Sequence, residues 1–192
     1  MQAQTRHQDT VIVVPDRTWR QFKRLQEAFE DSRAVKFSYF DGTIEILMPS
    51  EAHDLFSRII FLLISQYCLE KQIQFIPVGS ADRERDGVVF VQPDESFYVG
   101  SRKSAPDLAI EVVFTGGNET KLPKYQALEI PEVWFWEDGV FKLYRLFEGE
   151  YKSIQQSEIE GFENLNVQTL SRCVLIGETD MLGAIAELKR SL

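Results

Sequence analysis

Between residues 93 and 125 the chain carries Pro93-Asp94, then Pro106-Asp107 followed by Glu111, then Lys121 and Tyr125. Two carboxylates facing one point bind Mg²⁺ or Mn²⁺ through hard oxygens and leave part of the shell to water and phosphate oxygens. A neighbouring ammonium can orient the attacking water or offset developing charge. These residue types are those of metal-dependent phosphodiester hydrolysis, provided that the fold makes them converge.

Convergence depends on two extended segments. Residues 87–99 are rich in β-branched and aromatic side chains and read as one extended run; residues 107–114 read as a mostly apolar, buried strand. A hairpin centred on residues 102 and 103 sets Asp94 opposite Glu111 and Tyr98 opposite Asp107, with cross-strand partners about 5 Å apart at Cβ. Asp107 and Glu111 share a strand face but stand about 13 Å apart along it, so they cannot ligate one ion. Asp94 and Glu111 are therefore assigned to the metal, and Asp107 to a structural role where the strand begins. Glu111, flanked by Ile110, Val112 and Val113, is costly to bury unless paired or metal-bound.

Val113 occupies the place where a Glu-x-Lys motif would put its lysine. The nearest basic residue with a route back is Lys121, in the first turn of a helix after the loop 115–118. The helix macrodipole disfavours a cation there, so its placement needs another reason. Tyr125, at i+4, shares its face and can brace it or contact phosphate.

The remaining elements follow from periodicity and turn chemistry. Residues 1–15 form a loosely ordered segment whose Val11–Val14 run adds an edge strand, and residues 16–192 form the domain. Asp16 or Thr18 caps a helix over 19–30. Residues 35–40 and 43–48 form a hairpin about Asp41-Gly42, which pairs Ser38 with Glu45. Ser50 caps a helix to Lys71 with His53 in its first turn. A short strand covers 74–78, and 81–86 is a charged loop placed over the site. Residues 133–137 and 140–146 form a hairpin about Asp138-Gly139, followed by a strand over 151–156 and helices from Val167 and over 179–190. The expected fold class is α/β, one domain with a mixed β-sheet flanked by α-helices.

The ordered series of motifs resembles a known family. It comprises Tyr39 to Ser50 with Glu45, then His53, Gly79-Ser80, Pro93-Asp94 to Tyr98, Pro106-Asp107 to Glu111, Lys121 to Tyr125 and Ile130 to Trp134, spread over about residues 20–185. The resemblance is to the PD-(D/E)XK nuclease superfamily, in the Uma branch described as putative restriction endonucleases, where the lysine has moved to the following helix. It implies a restriction-endonuclease-like fold and a catalytic set of Glu45, Asp94, Glu111 and Lys121, supported by His53, Asp107 and Tyr125. Asp94, Glu111 and Glu45 would hold Mg²⁺ or Mn²⁺. Many relatives carry an acidic residue where this chain has Ser38, and the cross-strand Glu45 would supply a carboxylate from nearly the same place.

Composition bounds these expectations. The 192 residues, 44% of them hydrophobic, suffice for one domain with a sizeable core. Cys68 and Cys173 lack metal-ligand spacing and read as buried free thiols. No apolar leader or 18-residue apolar run is visible, so the expectation is a cytoplasmic protein without membrane partners. A net charge of −9 excludes a generic nucleic-acid coat and points to weak, salt-sensitive DNA binding, with Arg83, Arg85, Arg102, Lys103, Lys121 and Lys124 as the candidate basic groove. Double-strand cleavage needs two sites, so a homodimer is expected, through a sheet edge or the Trp134 region. The leading expectation is a Mg²⁺-dependent DNA endonuclease. The rivals are a catalytically inactive binding or assembly module on the same fold and a hydrolase of small phosphoesters.

Overall fold

The computed structural model describes residues 8–29, 31, 32, 35–114 and 118–192, so residues 1–7 and most of the loop preceding Lys121 lie outside it. In chain order the elements are β1 (Thr10–Val14), α1 (Trp19–Ala28), β2 (Lys36–Phe40), β3 (Thr43–Met48), α2 (Glu51–Glu70), β4 (Phe75–Pro77), β5 (Arg83–Arg85), β6 (Val89–Val91), β7 (Glu95–Val99) and β8 (Leu108–Val113). They continue with α3 (Asn118–Ala127), β9 (Glu132–Glu137), β10 (Val140–Phe147), β11 (Glu150–Ile154), α4 (Val167–Gly177) and α5 (Met181–Arg190).

The strands form two sheets. The first, in the order β1-β3-β2-β6-β5, is antiparallel throughout. The second, in the order β11-β10-β9-β8-β7-β4, is mixed, because α3 carries the chain from β8 to a parallel β9. The molecule is thus an α/β domain with mixed strand pairing and flanking helices, as the patterning predicts.

Alternation along β8 distributes its side chains between two layers. Leu108, Ile110 and Val112 join Phe97, Trp134 and Trp136 under α2, α4 and α5. Ala109 and Val113, with Glu111 between them, face Tyr125 of α3 and Val89 and Val91 of β6. A third cluster packs Phe22 of α1 on Phe37, Tyr39, Ile44 and Phe90. That packing consumes the odd face of β2 and leaves Lys36 and Ser38 on the other, beside Glu45 of β3.

Local chemistry accounts for the turns and caps. Asp41-Gly42 and Asp138-Gly139 each place two successive residues at positive φ, the type I′ geometry that a two-residue hairpin requires. Thr18 caps α1 through a capping box, and the Ser50 side chain accepts from the His53 amide at the start of α2.

Three expectations are corrected. Residues 87–99 are not one strand: the run leaves the first sheet after Val91 and joins the second at Glu95. Pro93 has no N–H to continue a ladder, and the Asp94 amide donates to Ile110 O at 3.1 Å, which anchors the new course. Residues 81–86 do not lie over the site. Arg83–Arg85 pair with β6, and the segment is fastened to α1 by Lys23–Glu84 at 3.0 Å and by the Trp19 indole donating to Asp86 at 2.8 Å. Trp134 and Trp136 are core residues, so no interface can use them. The exposed apolar edge is β1 instead, with Val11 and Val13 about half accessible. Cys68 and Cys173 are buried free thiols, and burial pushes Cys68 up to about 12. Among the described residues no helix is long and apolar enough to cross a membrane.

Candidate active site

The site lies where the two sheets part. The registers Glu95↔Ile110, Ser96↔Ala109 and Phe97↔Leu108 carry Asp94 opposite Glu111, the alignment that the hairpin predicts. Both carboxylates are buried, at 3% and 6% exposure. Beside them opens a cavity of about 310 Å³, lined by Lys36, Ser38, Glu45, His53, Glu111, Lys121, Lys124 and Tyr125 among its polar groups and by Val11, Val13, Leu47 and Phe114 on its apolar side.

Each acidic group is matched by donors. Lys121 Nζ lies 2.5 Å from Glu111 Oε2, while the Tyr125 hydroxyl donates to Glu111 Oε1. This is the reason for a lysine in the first turn of α3: its ion pair outweighs an unfavourable position in the helix field. Burial would lower the Lys121 pKa, but Glu111 and Asp94 hold it above the ordinary lysine value. Burial and the adjacent Glu111 charge push Tyr125 well up, so it remains a donor at any physiological pH.

Asp94 is held still more closely. Its Oδ2 accepts from the Val112 amide at 2.6 Å, and its Oδ1 meets both the Lys36 ammonium and His53 Nε2, the latter at 2.8 Å. His53 Nε2 makes an ion pair with this oxygen and no hydrogen bond. Burial acts to raise the Asp94 pKa, yet Lys36 and His53 overcome it and hold the carboxyl well below its usual range. His53 sits between two carboxylates, since its Nδ1 donates to Asp9 Oδ2 at 2.8 Å. Burial opposes its charge, but Asp9 and Asp94 push its pKa up to about 9.

The third acidic group follows from the Ser38↔Glu45 register. Ser38 Oγ donates to Glu45 Oε2 at 3.0 Å, and Lys124 donates to both Glu45 and Ser38 Oγ, the latter at 2.9 Å. Burial depresses Lys124, whereas the Lys124 charge keeps Glu45 low in spite of its own burial.

Asp107 lies apart from this cluster. Its carboxylate accepts from the Val99 amide at 2.8 Å and from Lys103 at 2.6 Å, clasping the loop end of the β7–β8 hairpin. Of the six basic residues of the expected groove, Arg85 lies in β5 opposite Val89 and the other five have partners of their own. Arg83 and Arg102 sit over the Tyr98 ring, Lys103 is tied to Asp107, and Lys121 and Lys124 point into the carboxylates.

Two participants escape the sequence argument: Lys36 and Asp9. Lys36 carried a signal, since strand alternation places it on the Ser38 face one step towards Asp94. Asp9 carried none; it reaches His53 and the Ser50 amide from outside any element.

Among the described residues no three His, Cys, Asp or Glu side chains are grouped to hold a metal ion. Asp94 and Glu111, however, supply the one or two carboxylates with which Mg²⁺ is commonly held alongside water and phosphate.

None of the curated proteins matches the chain. Among solved structures, a crystal structure of a putative nuclease belonging to DUF820 from Anabaena variabilis superposes with a TM-score of 0.57 at 17% identity, covering 89% of this chain and 98% of that one. That likeness shows the shared fold. The model of the Uma2 family, described as "Putative restriction endonuclease", matches residues 19–175. The chain belongs to the Uma2 family and has the restriction-endonuclease-like fold of the PD-(D/E)XK superfamily.

Proposed function

We propose that the protein is a Mg²⁺- or Mn²⁺-dependent DNA endonuclease. The observation that carries this reading is the register that sets Asp94 opposite Glu111, with Glu111 lining a cavity and Lys121 paired with it. Asp94 and Glu111 would hold the ion, with Glu45 on the neighbouring wall as the third candidate ligand. When bound, such an ion lowers the pKa of its water and polarises a phosphoryl oxygen.

The protein's own groups have separable roles. Lys121 is too basic to accept a proton near neutral pH, so it acts as a fixed cation that orients the nucleophile and offsets charge on the phosphate. Tyr125 holds one oxygen of Glu111 and thereby sets the rotation of that carboxylate. His53, braced by Asp9, positions Asp94. Lys124, held by Glu45 and Ser38, supplies a second cation towards the phosphate. Attack in line expels the 3′-oxygen of the scissile bond. DNA is the proposed partner, bound weakly because the chain carries −9 overall and salt-sensitively because its contacts are lysines on phosphate. A homodimer through the exposed β1 edge would supply two sites for a duplex.

A second reading is favoured by one observation. Every carboxylate of the site already has cationic or hydrogen-bonding partners, as in a closed structural network. On that reading the protein is a non-cleaving binding or assembly module. Incubation of supercoiled plasmid with Mg²⁺, Mn²⁺ or chelator separates the two: metal-dependent nicking supports the enzyme, and intact plasmid under all conditions supports the module. Cleavage of a chromogenic small phosphodiester with plasmid left intact would replace both with a small-ester hydrolase.

A further inference from the structure

We infer that Lys36 is a displaceable counter-ion of Asp94: it occupies the carboxylate in the metal-free protein, yields it to a divalent cation, and then turns its ammonium to the phosphodiester in the cavity. This rests on the metal-dependent reading above.

The geometry surrounds Asp94 with partners. Oδ2 is committed to the Val112 amide, and Oδ1 is shared by Lys36 and His53. Asp94 is not among the residues that line the cavity, whereas Lys36 on its Oδ1 is, so an ion entering from the cavity reaches Asp94 where one of these partners gives way. Val112 cannot, because its amide belongs to the backbone of β8. His53 is clamped from behind by Asp9, and its ring is 1% exposed. Lys36 alone is held at one end. Its side chain is 19% exposed, it lines the cavity, and its four-carbon stem allows the ammonium to swing while the strand stays fixed.

Charge points the same way. The cluster sets Asp9, Glu45, Asp94 and Glu111 against Lys36, His53, Lys121 and Lys124. These groups already neutralise one another, so adding a dication to the full set creates an excess of positive charge. A phosphodiester and a hydroxide nucleophile together remove that excess. Lys36, released from Asp94, is the cation free to meet the phosphate, and uptake of ion and substrate becomes mutually favourable. A Lys36 that stays on Asp94 has a different signature: its removal also favours the ion by charge alone but leaves Mn²⁺-dependent binding of the oligonucleotide unchanged.

The test is calorimetric titration of Mn²⁺ into wild type, K36M and K36R, each checked for folding by circular dichroism. It is paired with binding of a fluorescein-labelled oligodeoxynucleotide with and without Mn²⁺. Relief of competition tightens Mn²⁺ binding by about tenfold in K36M, within the usual range of site coupling, while K36R stays near wild type. Oligonucleotide binding by K36M weakens severalfold only when Mn²⁺ is present. Mn²⁺ binding by K36M with none detectable in wild type also supports the inference. Wild-type binding with no gain in K36M overturns the role of Lys36 and leaves the metal site standing. No binding by wild type or K36M overturns the metal reading and the inference with it.

Discussion

His53 offers the sharpest electrostatic test, because its pKa is moved from 6.5 to about 9 by carboxylates on both ring nitrogens. The folded state therefore binds the imidazole proton more tightly than the unfolded chain does. Its contribution to stability is complete below about pH 6.5, declines as pH rises through the window, and is gone above about 9. A shift of this size corresponds to on the order of 3 kcal/mol at about 1.4 kcal/mol per pH unit. Urea unfolding in chelator at intervals from pH 6 to 9.5, on wild type and His53→Gln, isolates the effect because the variant cannot carry the proton. The difference in unfolding free energy between the two should shrink by a few kcal/mol across that range. An NMR titration of the imidazole protons provides a second readout, with His7 the one other histidine in the chain. Equal pH slopes for wild type and variant, or a His53 midpoint near 6.5, would refute the bridging role of this ring.

Other consequences can be checked with the same proteins. Tyr125→Phe removes the hydroxyl that donates to the buried Glu111 and should cost about 2 kcal/mol, read as a fall in melting temperature of about 4–8 °C. Because Glu111 loses an orienting partner, Mn²⁺ binding should weaken severalfold in the same variant. Asp107→Asn should behave differently: loss of its ion pair with Lys103 and weakening of its bond to the Val99 amide cost about 1 kcal/mol in chemical denaturation, with Mn²⁺ affinity unchanged in calorimetry.

Much of this site was legible in the chain because its chemistry sits on two-residue periods and short turns. Asp41-Gly42 fixes the Ser38–Glu45 pair, and the β7–β8 register follows from the distance of Asp94 and Glu111 from the hairpin centre. Lys121 was recoverable because a cation in the first turn of a helix needs a partner, and Glu111 in an apolar strand needs one too. The break at Pro93 was not legible, since a run rich in β-branched residues looks alike whether it stays in one sheet or crosses between two. Asp9 was missed for a related reason: it reaches His53 across 44 positions of sequence from outside any element, and no local pattern encodes such a contact, whereas the alternation of β2 already put Lys36 on the Ser38 face. The charged segment 81–86 looked like a cover for the site because loops carry function, yet its carboxylates are spent on Lys23, Trp19 and Gln92.

The central claim is that Asp94 and Glu111 form a metal-dependent phosphodiesterase centre. Mn²⁺ calorimetry on wild type and Glu111→Ala, with plasmid nicking measured on the same samples, tests it most directly. The account predicts that wild type binds Mn²⁺ and nicks DNA and that both properties vanish together in the variant. Undiminished nicking by Glu111→Ala, or no Mn²⁺ binding by the wild-type protein, would contradict it.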